Sequence, residues 1–350
     1  MKKFKKLLAV LLTFMFALSL ASCKGNDKQV NSDANKSSKE STLKVVATSE
    51  DYKTLFDKFT KDKGIKVETL SMSSGDVLSR VKAEGDKKMA DLWFGGGIDA
   101  FMAAKSEDLL AEVKFEGSEK INEKFKDVDN KWFTKGVTVV GFIVNPTVLK
   151  EKNLPEPKTW DDLKNPKYKD QIIMSNPAIS GTNYAVLNSI IQVKGEEAGW
   201  KYFEEITKNI PFYSKRGKDP ALKVSEGEFA IGITYIDKTL DTMIQDKGLK
   251  IIYPEDGMPW IPDGVAVFKN SDNEDAAKEF MKWLYTDENL KMLMDIDKKN
   301  TLKLVVKDIQ GVELEFNENS LFKLDLKQFG DKREAMLEKW KTVIGDKAEK

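Results

Sequence analysis

Histidine is absent from this chain of 350 residues, and Cys23 is its single cysteine. Without imidazole side chains, histidine general bases, Ser-His-Asp triads and histidine metal ligands are excluded. One thiol cannot form an internal disulfide, nor can it build a cysteine-ligated zinc site by itself. Basic and acidic residues balance at 57 each, and no basic patch is interleaved with aromatic residues, which argues against nucleic acid as a partner.

The first 22 residues have the three parts of a secretory signal peptide. Lysines in positions 2–6 precede a short apolar run at 7–18, which is too short to span a bilayer. Small residues follow, and Leu20-Ala21-Ser22-Cys23 resembles the lipobox of bacterial lipoproteins. That resemblance implies cleavage before Cys23 and lipidation of its thiol. We therefore expect the protein to be anchored by lipid to the outer face of the bacterial membrane.

The segment 23–41 consists mainly of Lys, Asn, Asp, Ser and Gly, with almost no apolar residue to bury. Such a composition cannot form a core, so we expect a disordered tether. The remainder, residues 42–350, is too long for one comfortable core and fits two domains.

Strand and helix patterns alternate after the tether. Apolar runs predict three strands, at 42–49, 65–70 and 90–94. Helical spacing follows the first two strands, at Tyr52, Leu55, Phe56 and Phe59 and then at Val77, Leu78 and Val81. This βαβαβα order is typical of an α/β protein with a parallel sheet. More strands are predicted near 137–144, 171–174, 229–235 and 264–268, and helices after 276, whereas 302–306 is left unassigned.

Small and hydroxyl residues stand where predicted strands end and helices begin. Three such junctions are Thr48-Ser49, Ser73-Ser74 and Gly95-Gly96-Gly97, and a fourth is Ser180-Gly181-Thr182. Backbone amides at a helix start have no intrahelical partner, so they can hold a phosphate, sulfate or carboxylate. Each loop could equally serve only to cap its own helix, as Thr159 and Asp162 do in a capping-box spacing.

Four segments together resemble the solute-binding proteins of ABC importers, and in particular the group that binds ferric iron, thiamine, phosphonate or hexose phosphate. They are Ala90-Asp91-Leu92-Trp93-Phe94-Gly95-Gly96-Gly97, the stretch from Trp160 to Asp170, Asn176-Pro177-Ala178-Ile179-Ser180-Gly181-Thr182, and Gly227 to Tyr235. The resemblance implies an α/β fold of the two-lobed, type II periplasmic-binding-protein kind, with the ligand in a cleft between the lobes. It implies crossings near 140–145 and 261–265, a first lobe of 42–142 plus 263–350, and a second lobe of 143–262.

The resemblance also implies that the junction loops face one another across the cleft. The predicted ligand-binding residues are Thr48, Ser49, Ser73, Ser74, Gly95, Gly96, Gly97, Ser180, Gly181, Thr182, Tyr235 and Asp237. Asp263 is a further candidate acceptor. Lys215 and Arg216 are candidates to neutralise charge, although a solvated loop explains them better. Trp132 and Trp260 are candidates to stack on a ring, and simple packing explains them at least as well.

The predicted ligand is a small anion such as an organophosphate, phosphonate or sugar phosphate. Ferric members of the group carry two consecutive tyrosines where this chain has Tyr235-Ile236, so the second phenol is missing. Ferric iron and thiamine stay open as alternatives, and a surface hydrolase using paired carboxylates is a remote one. We predict a monomeric binding protein without enzymatic activity or cofactor, whose partners are this solute, an ABC permease with its ATPase, and the membrane.

Overall fold

A computed structural model of the chain describes residues 42–85, 88–298, 300–314 and 316–348. The predicted signal peptide, the lipidation site Cys23 and the tether lie outside the described residues. Within these ranges, no helix is both long and apolar enough to cross a membrane.

The described residues form nine strands in one mixed sheet, in the order β2-β1-β3-β9-β4-β7-β5-β6, with β8 on the end of β4. The strands are β1 (Thr42–Ala47), β2 (Lys66–Ser71), β3 (Leu92–Gly97), β4 (Phe133–Val144), β5 (Ile172–Ser175), β6 (Tyr213–Ser214), β7 (Ile231–Tyr235), β8 (Lys250–Ile252) and β9 (Trp260–Val267). The predicted parallel pairing is confirmed for β1 with β2 and β3, and it recurs for β5 with β6 and β7. β4 and β9 run antiparallel to their neighbours.

Helices cover the sheet, as the sequence pattern predicts. They are α1 (Lys53–Lys63), α2 (Ser74–Glu84), α3 (Ile98–Ser106), α4 (Pro146–Glu151), α5 (Gly181–Lys194), α6 (Glu196–Thr207), α7 (Asp219–Ser225), α8 (Asp241–Lys247), α9 (Glu274–Leu284), α10 (Asp287–Asp297), α11 (Leu302–Val305), α12 (Lys327–Asp331) and α13 (Arg333–Ile344). α11 occupies the segment that the sequence left unassigned.

β4 divides the sheet into two halves. Residues 133–139 pair with β9, whereas residues 140–144 pair with β7. Every residue of this strand is buried, which explains its long apolar run. We call the part built on β1, β2, β3 and β9 the first lobe, and the part built on β5, β6, β7 and β8 the second lobe. The predicted boundaries at residues 142 and 263 remain a proposal.

The C-terminal strap, which we define as residues 321–348, passes over both lobes. It begins with a bridge between Leu321 and Met258, which precedes β9. It then packs α12 against α3 and α5, and α13 against α6. It ends with a bridge from Ala348 to Tyr213 in β6. The last part of the chain therefore connects elements that are far apart in sequence.

Candidate functional site

The starts of three helices meet where the two lobes come together. On the first-lobe side these are Ser74 of α2 and Gly97, which precedes α3; on the second-lobe side it is Gly181 of α5. A Cβ atom added to Gly181 would lie 2.8 Å from the Gly97 amide nitrogen and 3.0 Å from Ser74 Oγ. We call this meeting point the three-helix junction. A hydrogen bond of 3.2 Å from the Gly75 amide to the Ile179 carbonyl connects the two sides of this junction.

Glycine is required on the first-lobe side of the three-helix junction. Gly95 and Gly96 have φ angles of 93° and 103°, in the left-handed region that residues with a Cβ rarely adopt. The side chain of Thr48 lies against both glycines, since a Cβ on Gly96 would be 3.3 Å from Thr48 Cγ2. This loop therefore presents backbone rather than side chains to the second lobe.

Ser180 caps the facing helix, and its hydroxyl accepts a hydrogen bond from the Asn183 amide at 3.4 Å. The first amides of an α-helix are outside its own hydrogen-bond ladder, which here concerns Gly181 and Thr182. The Thr182 hydroxyl lies close to Gly217, where a Cβ would be 2.9 Å away. Gly217 is held by a bond of 2.8 Å from the Thr234 hydroxyl to its carbonyl. The exposed residues Lys215 and Arg216 precede Gly217 in the same loop.

The structure brings most of the predicted site residues to this region. They are Thr48, Ser74, Gly95, Gly96, Gly97, Ser180, Gly181 and Thr182. Ser49 and Ser73 instead have local contacts, because their hydroxyls donate to Asp51 at 2.8 Å and to Asp76 at 2.6 Å.

Tyr235 and Asp237 have their described contacts elsewhere. Tyr235 is half-buried against an apolar cluster of the second lobe that includes Ile143 and Phe229. Asp237 accepts hydrogen bonds from the amide and hydroxyl of Thr239, at the start of a short 3-10 helix. It also lines a cavity of about 160 Å³.

A buried lysine lies behind the glycine loop. The Lys135 ammonium is fully buried and donates to Asp263 Oδ2 at 2.6 Å, to Asp297 Oδ2 at 3.0 Å and to the Tyr52 hydroxyl at 2.9 Å. Asp263 Oδ1 accepts from the Gly96 amide at 2.5 Å. Burial disfavours the cation, but the two carboxylates outweigh it and raise the pKa of Lys135 to about 12. Asp263, a candidate acceptor for solute, is therefore occupied within the protein.

A second buried ion pair lies next to the three-helix junction. The Arg333 Nε of the C-terminal strap donates to Asp99 Oδ2 at 2.8 Å, and Asp99 is in the first turn of α3. Asp99 Oδ1 is buried and makes no hydrogen bond to a described residue. A Cβ on Gly97 would lie 2.6 Å from this oxygen. Burial raises the pKa of Asp99, and Arg333 opposes that rise.

Lys135, Asp99 and Arg333 are absent from the predicted site. Two signals were available in the sequence: Asp99 is the second residue after the glycine triplet, and Arg333 is one of only three arginines. Neither signal identifies a partner, because Lys135 and Asp263 are 128 residues apart and Asp99 and Arg333 are 234 apart.

A groove of about 1610 Å³ lies beside the three-helix junction, between α2 and α3 on one side and the C-terminal strap on the other. Both tryptophans considered for ring stacking line it. Trp132 is 4% exposed, and the Trp260 indole donates to the Phe322 carbonyl at 2.8 Å. In the described part of the chain, no cluster of three or more Asp, Glu, His or Cys side chains could hold a metal ion.

Two lobes around a crossing strand, with helix starts that meet between them, define a solute-binding protein of the periplasmic type. The sequence profile of the bacterial extracellular solute-binding proteins matches residues 54–302. The chain therefore belongs to this family and is the solute-binding protein of an ABC importer, which works with a permease and an ATPase. This confirms the family and the type II fold predicted from the sequence.

Known relatives agree with this assignment. An uncharacterised protein of Haemophilus influenzae is 27% identical over 287 residues, which cover 79% of this chain and 82% of that protein. The structure of the periplasmic binding protein AfuA from Actinobacillus pleuropneumoniae, with fructose-6-phosphate bound, superimposes with a TM-score of 0.78 at 25% identity. The match covers 87% of this chain and 99% of AfuA. The ferric binding protein of Campylobacter jejuni shares the fold, with a TM-score of 0.70 at 22% identity over 86% of this chain and 99% of that one.

Proposed function

We propose that this protein captures a small phosphorylated solute, such as a sugar phosphate, beside the three-helix junction and delivers it to its permease without changing it. The observation that carries the proposal is the convergence of α2, α3 and α5, whose positive dipole ends all point to one region. The bound fructose-6-phosphate of AfuA supports the same ligand class.

The chemistry around the second-lobe loop also suits an anion. The amides of Gly181 and Thr182, the Thr182 hydroxyl and the neighbouring Lys215 and Arg216 are all donors. Asp263, a nearby carboxylate that would repel a phosphate, has its charge offset by Lys135. Hydrogen bonds to a charged acceptor are about twice as strong as neutral ones, so a few such donors are enough for selectivity.

Ferric iron, the main alternative, needs anionic oxygen ligands such as phenolates. The side chains of Tyr168, Tyr184, Tyr202, Tyr213 and Tyr285 are buried, and each hydroxyl forms a hydrogen bond within the protein, so these five phenols are already occupied. Tyr235 is followed by Ile236 rather than by a second tyrosine. The proposal therefore favours an organophosphate over iron.

Isothermal titration calorimetry tests the proposal with fructose 6-phosphate, inorganic phosphate, fructose, ferric citrate and thiamine. We expect fructose 6-phosphate to bind with micromolar affinity or better and fructose not to bind. Thr182→Val should weaken fructose 6-phosphate about tenfold, because it removes a hydroxyl donor to a charged group. Thr54→Val, on the exposed face of α1, is the matched control.

Two results would overturn the proposal. One is saturable binding of ferric iron or thiamine while every phosphoester tested gives no heat. The other is steady release of inorganic phosphate from fructose 6-phosphate, which would identify a hydrolase.

A further inference from the structure

The C-terminal strap is fastened to the second lobe. The Tyr184 hydroxyl of α5 donates to the Phe329 carbonyl at 3.0 Å, and the Trp340 indole donates to Asn176 Oδ1 at 3.1 Å. Near its end, Lys347 donates to the carbonyls of Thr207 and Ile210 at 2.5 and 2.7 Å. We therefore assign α13 to the second lobe, although the sequence places it after the segments of the first, whereas α12 lies between the lobes and packs against both α3 and α5.

One charged contact joins this strap to the first lobe. Arg333, at the start of α13, pairs with Asp99 of α3, and the two side chains are 12% and 2% exposed. The guanidinium carbon of Arg333 lies 5.6 Å from the centre of the Tyr184 ring, which belongs to the second lobe. Arg333 is thus positioned by the second lobe and reaches across to a carboxylate of the first.

We propose that the Asp99–Arg333 pair is a charge latch that holds the two lobes closed, so that these residues set how long a solute stays bound without touching it. The inference rests on the proposed function, in which the solute is enclosed between the lobes.

Both partners gain from closure for physical reasons. In an open state the pair is separated and water solvates both charges, whereas closure buries them together, where their attraction is stronger. Desolvation opposes this gain, and a buried pair is favourable only if its geometry is good. Here the ring of Tyr184 already orients the guanidinium, so less side-chain entropy is lost when Asp99 arrives.

The location separates this role from solute contact. Asp99 lies on the first-lobe side of the three-helix junction, where Gly97 touches Gly181. Arg333 lines the groove of about 1610 Å³, as do Gly75 and Ala178, whereas Thr182 and Gly217, beside the proposed solute donors, do not line it. Loss of the latch should therefore speed opening and solute release, with a smaller effect on the rate of association.

The test measures the separation of the lobes in the full chain by electron–electron double resonance. Spin labels are placed through Lys61→Cys in α1 and Lys201→Cys in α6, both exposed, with Cys23→Ser to keep labelling specific. Distances are recorded without solute and with fructose 6-phosphate. We expect Arg333→Met and Asp99→Asn to reduce the closed fraction and to raise the solute off-rate about tenfold.

Three further variants distinguish a latch from a merely structural pair. Arg333→Lys keeps the charge and should restore part of the closed fraction. Arg80→Met is the matched control, because Arg80 pairs with Glu84 within α2, at 2.6 Å, and cannot hold two lobes together. The double variant Asp99→Asn with Arg333→Met leaves no unpaired buried charge, so it tests the latch even where a single variant folds poorly.

Unchanged distances and off-rates in a folded double variant would overturn the latch. A wild-type protein without a closed fraction in either condition would overturn it as well. Failure of fructose 6-phosphate to bind would contradict the proposed ligand, and the latch would then be judged from the distances recorded without solute.

Discussion

Two buried carboxylates flank the same glycine loop, and they differ in how completely they are bonded. Asp263 uses both oxygens, one for the Gly96 amide and the other for Lys135. Asp99 uses one oxygen for Arg333, and its other oxygen has no hydrogen bond within the described residues. The first carboxylate joins neighbouring strands of one lobe, whereas the second meets a segment that is fastened to the other lobe.

This difference leads us to expect different roles for two ion pairs that are both buried. The Lys135 cluster connects β4, β9 and the end of α10, elements that we expect to stay together as the lobes move. The Asp99–Arg333 pair spans elements that we expect to separate. A carboxylate with both oxygens hydrogen-bonded, such as Asp263, therefore suits a permanent structural contact. A carboxylate with one oxygen hydrogen-bonded, such as Asp99, suits a contact that forms and breaks.

The largest expected effect comes from Lys135→Met. It leaves Asp263 and Asp297 as two buried carboxylates without a cation, so the free energy of unfolding should fall by about 3–5 kcal/mol. Urea denaturation measures this, with Lys53→Met, in an exposed pair with Asp57, as a control that should change by less than about 1 kcal/mol. If Lys135→Met lowers the free energy of unfolding by less than Lys53→Met does, Lys135 is not a structural support, and the contrast between the two buried carboxylates fails.

An intermediate effect is expected from Gly181→Ala. The new methyl group would lie 2.8 Å from the Gly97 amide nitrogen, so it opposes closure by overpacking worth about 1–3 kcal/mol. Fructose 6-phosphate affinity should fall about 10- to 100-fold by calorimetry, while the melting temperature of the solute-free protein changes little. Gly195→Ala is unsuitable as a control, because its φ is 83°. The exposed α2 substitution Ser79→Ala serves instead, and equal losses in both variants would contradict the prediction.

The smallest expected effect is on how the free energy of unfolding depends on pH in Arg333→Met. Arg333→Met should lower the free energy of unfolding at pH 7 by less than Lys135→Met does, because it leaves one buried carboxylate without a partner instead of two. Burial already raises the pKa of Asp99 in the folded state, and removal of Arg333 raises it further. The folded state then favours the protonated carboxyl, so the penalty is present above that pKa and is lost as pH falls through it. Urea denaturation at pH 7 and at pH 4.5 should show the stabilities of the two proteins converging, and a constant gap would mean that Asp99 does not change protonation between these two pH values.

Sequence patterns such as capping boxes and apolar runs predicted much of the fold correctly, because the residues that form them are close together in the chain. The capping box is confirmed, since Thr159 and Asp162 exchange hydrogen bonds of 2.9 and 3.2 Å. The apolar run of β4 correctly indicated a strand buried on both faces. Residues 302–306 could not be assigned, because their Leu and Val residues suit a strand, whereas tertiary contacts decide the outcome. There the Thr301 hydroxyl bonds Val137 of β4 and fixes the start of α11.

The candidate site was predictable only in part, for a related reason. Helix-start loops carry a local signal, and the structure does bring Gly97 and Gly181 together. Nothing local distinguishes Lys135 from the other lysines of the chain, and its burial depends on two distant carboxylates. The place of Arg333 depends on the path of the strap, which no periodicity encodes.

That path has a consequence for how the protein is made. Trp340 packs edge-on against Phe203 and Tyr213, whose rings belong to the second lobe. During synthesis the ribosome releases residues 333–348 more than a hundred positions after those rings. The second lobe therefore cannot cover the rings of α6 and β6 until the last residues of the chain are available, and a chain cut before Arg333 would leave this aromatic surface exposed to water.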